Sequence, residues 1–167
     1  NNVQMTGAGT KTLAQASTSD FVIVSGSGTV SIAKLLTITG NYSNAGGVTL
    51  SPASSATTYF AGTSDQKLSG IMNTTATDLS GVTFSGAGTK NFGNNASTST
   101  FTISTGSGAV VAPALLTISA SVSAASGITF VHNNGTIFLA GGAGARNFSG
   151  TWIGSSALNN VYFLGAG

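Results

Sequence analysis

The chain carries almost no charge. Charged side chains make up 5% of its 167 residues, as three acids and five bases, beside a single histidine. In a typical soluble domain the charged share is about a quarter. A formal net charge of +2 on so few ions forms no basic patch, so we expect neither nucleic acid nor an anionic membrane as a partner.

Cysteine is absent, and proline occurs only twice. The lack of cysteine excludes a disulfide scaffold and thiol chemistry, although it does not fix the cellular compartment. The scarcity of proline excludes collagen and extended polyproline linkers. No apolar run is long enough to cross a membrane as a helix, so we expect no membrane span.

The sequence holds few groups for catalysis, which needs positioned ionisable side chains. His132 stands where a strand runs into a turn, and its counterpart one repeat earlier is Pro or Ser. Asp20, Asp65 and Asp78 are scattered and have no acidic counterparts one repeat later. One histidine without cysteine makes no zinc site, and no aspartate recurs in every turn as calcium-binding repeats require. The sequence therefore predicts no enzyme, no metal and no cofactor.

What the chain does have is a repeat. The pentapeptide GAGTK occupies positions 7–11 and returns at 86–90, an offset of 79 (86 − 7), and a third copy starts at Gly165 with the same offset (165 − 86). A fixed internal period is the signature of stacked repeats. We therefore predict one continuous solenoid over residues 1–167, with repeats at about 1–79 and 80–158 and a third beginning at 159. We also expect the chain to be an excerpt of a longer polypeptide.

A finer spacing lies within each repeat. Two mostly apolar alternate positions precede a glycine, a basic or amide residue follows it by four positions, and Leu or Phe follows it by six. The anchor glycines of these copies are Gly7, Gly62, Gly86, Gly142 and Gly165. Their successive offsets of 55, 24, 56 and 23 indicate a short step of one turn and a long step of about two turns. About three rungs, each of roughly 24 to 28 residues, would then fill one repeat.

Strand signals fill the rest of the sequence. Short β-branched or aromatic segments alternate with period two and end at Gly or Asn. The best of them read apolar-Thr-apolar, which turns the flanking residues inward and the threonine outward. Their central residues are Thr37, Thr49, Thr83, Thr102, Thr117 and Thr129. Since stacked strands lie about 4.8 Å apart, these threonines would form ladders.

A right-handed parallel β-helix accounts for these patterns most economically. Each rung would hold two or three strands, with turns at the Gly and Asn clusters and a core of aliphatic and aromatic columns. The alternative is a tandem pair of antiparallel β-sandwich domains of about 80 residues each. The short step within each half favours the β-helix, because the strands of a sandwich need not resemble one another.

The chain resembles the repeats of very large secreted or surface-bound bacterial β-helical proteins, in segments such as VTFSGAGTKNFG (82–93), LLTITGNYSNAGGVTLS (35–51) and YFAGTSDQKLSG (59–70). These are the filamentous-haemagglutinin-like and adhesin-like chains, including giant surface proteins of gliding bacteria. The resemblance covers the whole chain and lies in style and periodicity. It implies an extracellular, elongated, adhesive or fibre-forming role at the bacterial cell surface. Autotransporter passenger domains look similar too, so no secretion route is implied.

Two sets of residues are candidates for surface contacts. Lys11, Lys90 and Arg146 recur at one phase of the repeat, with Gln66 in the remaining position. A row of cations there could bind acidic glycans, but we favour a solvated turn that keeps the solenoid soluble. The six threonines are the second set, because flat arrays of outward Thr are used by ice-binding solenoids. Threonine is also the ordinary choice for an exposed strand position.

The sequence thus favours a structural function, as a segment of an extracellular bacterial fibre, stalk or adhesin. Open strand edges at both ends would template pairing. Residues 159–167 repeat residues 1–9, so we expect the chain to join copies of itself head to tail or to continue into a longer array. Surface glycans are a second candidate partner. The alternative function is a carbohydrate-binding or ice-binding solenoid that uses an exposed threonine or aromatic face.

Overall fold

The computed structural model describes residues 1–74, 78–141, 147–153 and 156–165. The strands found there pair only in parallel. In chain order they are β1 (Val3–Met5), β2 (Thr10–Thr18), β3 (Phe21–Ile23), β4 (Thr29–Ile38), β5 (Tyr42–Asn44), β6 (Thr49–Leu50), β7 (Thr57–Phe60), β8 (Gln66–Gly70), β9 (Gly81–Phe84), β10 (Lys90–Phe92), β11 (Ala96–Ile103), β12 (Val110–Val111), β13 (Leu115–Ala124), β14 (Phe130–Val131), β15 (Thr136–Ala140), β16 (Phe148–Ser149) and β17 (Asn160–Leu164). This arrangement confirms the predicted parallel β-solenoid. In the described part of the chain no helix is long and apolar enough to cross a membrane.

The strands form two sheets that the chain visits in turn. The first sheet has the order β1-β3-β5-β8-β10-β12-β14. The second has the order β17-β15-β13-β11-β9-β7-β4-β2, with β16 beside β13 and β6 beside β4. Each turn of the coil adds one strand to the first sheet, so the described chain makes about seven turns.

The second sheet is divided into two faces. Its ladders shift register midway, between Leu13 and Gln15 in β2 and between Thr98 and Thr100 in β11, and an extra residue at such a shift bends a strand. The two halves of β4 also have different partners, β6 and β7, as do the halves of β13. Each turn thus has three faces. The first face is the first sheet, the second face holds the first halves of the long strands with β6, β15 and β17, and the third face holds their second halves with β7, β9 and β16.

The turns differ in length. The offset from Val3 to its partner Phe21 in the first turn is 18 (21 − 3), and the offset from Tyr42 to its partner Leu68 in the longest turn is 26 (68 − 42). The shortest turns are therefore shorter than the rungs that the sequence predicts. The extra residues lie at two corners. Residues 51–56 form a loop between the second and third faces, which β2 crosses as one strand, and residues 61–65 separate β7 from β8, whereas only residues 19–20 separate β2 from β3.

The predicted short step, from Gly62 to Gly86, is one turn. Phe60 pairs with Phe84 on the third face, and Gln66 pairs with Lys90 on the first. Near the end of the chain the short step of the sequence, from Gly142 to Gly165, is one residue shorter than the offset between the paired residues Ile137 and Val161.

In β15 the two apolar positions of the motif are Phe138 and Ala140, but these are not the residues that face the core. Ile137 pairs with Val161, and Ile137 and its neighbour Leu139 are the buried residues. Since residues 137–139 are all apolar, their hydrophobicity does not reveal which of them face inward.

Successive copies of the long repeat fall on different faces. The segment that opens each copy forms β1 on the first face, β9 on the third and β17 on the second. From β1 the chain makes three full turns to β8 and then crosses the second face to reach β9 on the third. One repeat therefore covers three turns and two further faces, so equivalent residues of neighbouring repeats do not stack on each other.

An aromatic column runs through the core along the stack. Successive ring centroids lie 5.0 to 6.2 Å apart, a separation at which aromatic pairs attract. The members are Phe21, Tyr42, Phe60, Phe84, Phe101, Phe130 and Trp152. All except Trp152 are fully buried, because each ring is covered by the next turn.

Candidate functional site

The GAGTK motif at positions 86–90 forms a corner whose carbonyl groups are bound from inside by a lysine. Lys90 begins β10 and is 0% exposed. Its Nζ donates to the carbonyl oxygens of Gly62 at 3.0 Å, Gly88 at 2.6 Å and Gly86. Because an unpaired buried charge is very costly, these carbonyl groups are what allows an ammonium group inside the solenoid.

Gln66 performs the same role one turn earlier. It is 1% exposed and pairs with Lys90 in the first sheet. Its Oε1 accepts a hydrogen bond from the Gly62 N–H at 2.8 Å, and its Nε2 donates to the carbonyls of Ile38 at 3.1 Å and Gly40. An amide and an ammonium group thus satisfy the same corner in neighbouring turns.

Lys11 belongs to the first copy of the motif and lies at the open end of the stack. Its side chain is half-buried, and Nζ donates to the carbonyl oxygens of Ser27 at 2.6 Å and of Gly7. Longer contacts of 3.4 Å reach the carbonyls of Ala8 and Gly9. Lys11 therefore makes the same local contact as Lys90, to the carbonyl of the first glycine of its motif, but less protein surrounds its side chain.

These positions correct the sequence interpretation of the recurring cations. Lys90 cannot serve as a surface contact, and it is not part of a solvated turn either, because it is buried. Burial lowers the pKa of Lys90, and the nearby charge of Asp65 opposes that shift. Arg146 lies outside the described residues. A sequence shows that Lys11 and Lys90 share a motif but not how many turns cover each one.

Gly7, Gly62 and Gly86 lie between strands, and Gly165 directly follows β17, whereas Gly142 lies outside the described residues. Gly7 and Gly86 both have φ of 71° and Gly165 has φ of 144°, conformations that favour glycine. Gly62 is needed for a different reason. A Cβ there would collide with the carbonyl oxygen of Thr39 and the side chain of Gln66.

Only half of the six threonines share a ladder. Thr37, Thr83 and Thr102 lie in one outward column of the third face, with Tyr59 between the first two. The other three lie elsewhere, Thr49 and Thr117 on the second face and Thr129 just before β14 of the first face. The predicted threonine ladders thus include only three of the six residues, because the repeat moves to a new face with each copy.

The third face carries an array of hydroxyl groups that the sequence pattern did not reveal. In β9, β11 and β13 and the residues that follow them, nine outward positions form three columns. Gly81 and Ala125 occupy two of these positions. The other seven, which we call the hydroxyl array, are Thr83, Ser85, Thr100, Thr102, Ser104, Ser121 and Ser123. None of the seven is buried. The sequence shows only that hydroxyl and apolar residues alternate along each strand, and the register between strands is needed to place the hydroxyl groups side by side.

The carboxylates of Asp20 and Asp65 lie beside the first face, where they connect neighbouring turns. The Asp20 carboxylate accepts a hydrogen bond from the Asn41 N–H at 2.7 Å, and Asp65 accepts one from Thr89 at 2.9 Å. An open groove of about 270 Å³ is lined there by Asn41, Asp65, Lys67 and other polar residues. These carboxylates act on the backbone of the next turn and not on each other.

Asp78 and His132 show no catalytic arrangement. The Asp78 carboxylate accepts hydrogen bonds from the Ser80 N–H and the Ser97 hydroxyl, and burial raises its pKa. The Nδ1 of His132 accepts a hydrogen bond from the Asn134 N–H at 3.0 Å. Among the described residues no group of three or more potential ligands could hold a metal ion.

The last described turn leaves core positions uncovered. Phe163 pairs with Leu139, which is 5% exposed, but Phe163 itself is 75% exposed, since none of the described strands lies over it. Ile153 is 74% exposed at the same end of the stack. Comparison with known proteins finds no matching family, no matching curated protein and no matching solved structure.

Proposed function

We propose that the chain is a structural segment of an extracellular bacterial fibre, stalk or adhesin, and that its turns stack end to end on further turns of the same repeat. The observation that carries this proposal is the parallel stacking itself, in which each turn pairs with the next in both sheets and covers its aromatic core residues. Phe163 occupies the position that Leu139 fills in the turn before, and a further turn would remove its ring from water. Burying a Phe side chain contributes roughly 1.5–3 kcal/mol.

The opposite end of the stack also has open strand edges. The first described turn presents β1 on the first face and β2 on the second and third faces, each with one neighbour in the sheet. The β17 end presents β17 on the second face and β16 on the third. Both edges carry unpaired backbone groups of parallel strands, so the first half of β2 in one copy can pair with β17 of another, while β16 lies one strand lower on the third face. A contact between unlike ends repeats without closing and gives a filament.

The proposed location at the bacterial surface rests on the resemblance of the repeats to those of secreted or surface-bound bacterial β-helical proteins. The scarcity of charge supports stacking there, since like charges directly opposite each other on neighbouring strands are destabilising. Antibody labelling of intact source cells tests the location, and labelling that requires permeabilised cells would exclude it.

Electron microscopy and sedimentation of the purified chain test end-to-end stacking. We expect filaments whose length grows with protein concentration, and we expect Phe163→Lys to shorten them strongly because it places a charge at the joint. Tyr162→Lys is the matched control, since Tyr162 is on the same strand but at an outward position and is 53% exposed. Monodisperse monomers at every concentration, or equal effects of the two variants, would contradict the proposal.

A further inference from the structure

We propose that the hydroxyl array on the third face binds the surface of ice. The array is a lattice in two dimensions. Neighbouring strands lie about 4.8 Å apart, and outward residues along one strand repeat about every 6.6–6.8 Å. Hydroxyl groups such as those of Thr83 and Thr102 therefore repeat in both directions at fixed distances.

The array is also held rigidly. Its residues alternate with buried core residues, among them Phe84, Phe101 and Ile103, so each strand is anchored from below. Threonine has a stiff χ1 because its β-carbon is branched. Side-chain ladders reduce the twist of a sheet, and the rings of Phe60, Phe84 and Phe101 form such a ladder beneath this face. A rigid lattice of groups loses little conformational entropy when it meets a rigid partner.

The chemistry of the array matches ordered water. A hydroxyl group both donates and accepts hydrogen bonds, as a water molecule does. None of the nine outward positions holds a charged residue, so the array matches a partner that carries no net charge. A charged partner, such as an acidic glycan or an ionic mineral, would find no opposite charge among them.

The array is less suited to a neutral sugar chain. Small-ligand sites are concave and lined with aromatic and apolar side chains, whereas these nine positions hold only Thr, Ser, Gly and Ala. The nearest aromatic residue in the outward column of Thr83 is Tyr59, which pairs with Thr83 and forms one border of the array. Ordered water is thus the partner that the array fits best.

Thermal hysteresis and partition into growing ice test the proposal with the purified chain. We expect the wild-type chain to lower the freezing point below the melting point and to concentrate in ice. Thr102→Lys should abolish both effects, because the lysine stands in the middle of the array. Ser123→Lys is a second variant at an exposed position, in case the first fails to fold.

Thr12→Lys is the matched control, since Thr12 is exposed and outward on the second face. It should leave both effects unchanged, and circular dichroism should show that all variants keep the fold. The proposal is overturned if the wild-type chain is excluded from ice, or if Thr12→Lys and the array variants lose activity equally. Binding to crystalline cellulose or chitin without binding to ice would also overturn it, in favour of a polysaccharide surface. The readout does not depend on filament formation, so it fails or succeeds separately from end-to-end stacking.

Discussion

The two GAGTK corners have one sequence and two environments. Gly7 and Gly86 share a φ of 71°, and in both corners the lysine donates to the carbonyl of the first glycine. The corner at 7–11 lies in the first turn, and Lys11 there is half-buried, whereas the corner at 86–90 has turns on both sides and Lys90 is fully buried. The pentapeptide thus specifies the loop, and the neighbouring turns decide how much stability depends on it.

The largest difference between the corners is expected at their first glycines. In Gly86→Ala the new Cβ would lie 2.6 Å from the carbonyl oxygens of Ala61 and Gly62, whereas in Gly7→Ala it would meet no atom within 4 Å. The left-handed conformation costs both variants about 1–2 kcal/mol. The collision adds about 1–3 kcal/mol for Gly86→Ala alone. Denaturant unfolding should show a loss of about 3 kcal/mol against about 1 kcal/mol, and equal losses would contradict the comparison.

The next effect concerns the two lysines. In Lys90→Met the carbonyls of Gly62 and Gly86 keep backbone partners, from the N–H groups of Gly88 and Gly108, but the Gly88 carbonyl loses its hydrogen bond inside the protein. A buried acceptor left without a partner costs about 1–3 kcal/mol, so we expect a loss of about 2 kcal/mol. Lys11→Met should cost about 0.5 kcal/mol or less, because water reaches that corner. If thermal and denaturant unfolding rank the two variants in the opposite order, burial is not what separates the corners.

The fold followed from the sequence because its signals are local and repeated. The regular spacing of Gly62 and Gly86 and alternating strands such as Val82-Thr83-Phe84 are enough to indicate stacked parallel turns. The pairing of residues between neighbouring strands of the third face, in contrast, could not be predicted from the sequence. Loops such as 51–56 change the length of individual turns, so the register between Thr83 and Thr102 depends on how much of the chain each corner consumes. The sequence repeats at a nearly constant period, but the number of residues in each turn of the coil varies.

Burial of the candidate residues was unpredictable for the same reason. Lys90 reads as a surface residue in any single turn, since lysine is almost never fully buried without partners. Its partners are backbone carbonyl groups of glycines, which have no side-chain signal in the sequence. The one available hint was Gln66 at the same phase of the motif, an uncharged residue that also donates to carbonyl groups of the preceding turn.

That substitution within the chain suggests a third test, Lys90→Gln. By the register of the first and third faces, the new amide can donate to the Gly62 carbonyl, as Gln66 donates to that of Gly40. The Gly88 carbonyl is left without its partner in both variants, so the difference between them is the net contribution of the amide's own hydrogen bonds, and we expect Lys90→Gln to be about 1 kcal/mol more stable than Lys90→Met. Gln66→Lys is the reciprocal variant and should also fold. If glutamine at position 90 is no better than methionine, the two corners are not interchangeable and the shared motif is only a loop.

The smallest effect is the pH dependence that separates Lys90 from Lys11. Because burial lowers the pKa of Lys90 in the folded chain, the unfolded chain binds more protons between that pKa and the unfolded value of about 10.4. The free energy of unfolding should therefore rise with pH across this window and level off above it. Measurements should stop near pH 10, since burial raises the pKa of Tyr42, and ionisation of that tyrosine in the unfolded chain then lowers stability. In Lys90→Gln the rise should vanish, whereas Lys11→Met should keep it. A rise of equal size in both variants would show that another group is responsible and that burial of the ammonium group is not what the second corner adds to the first.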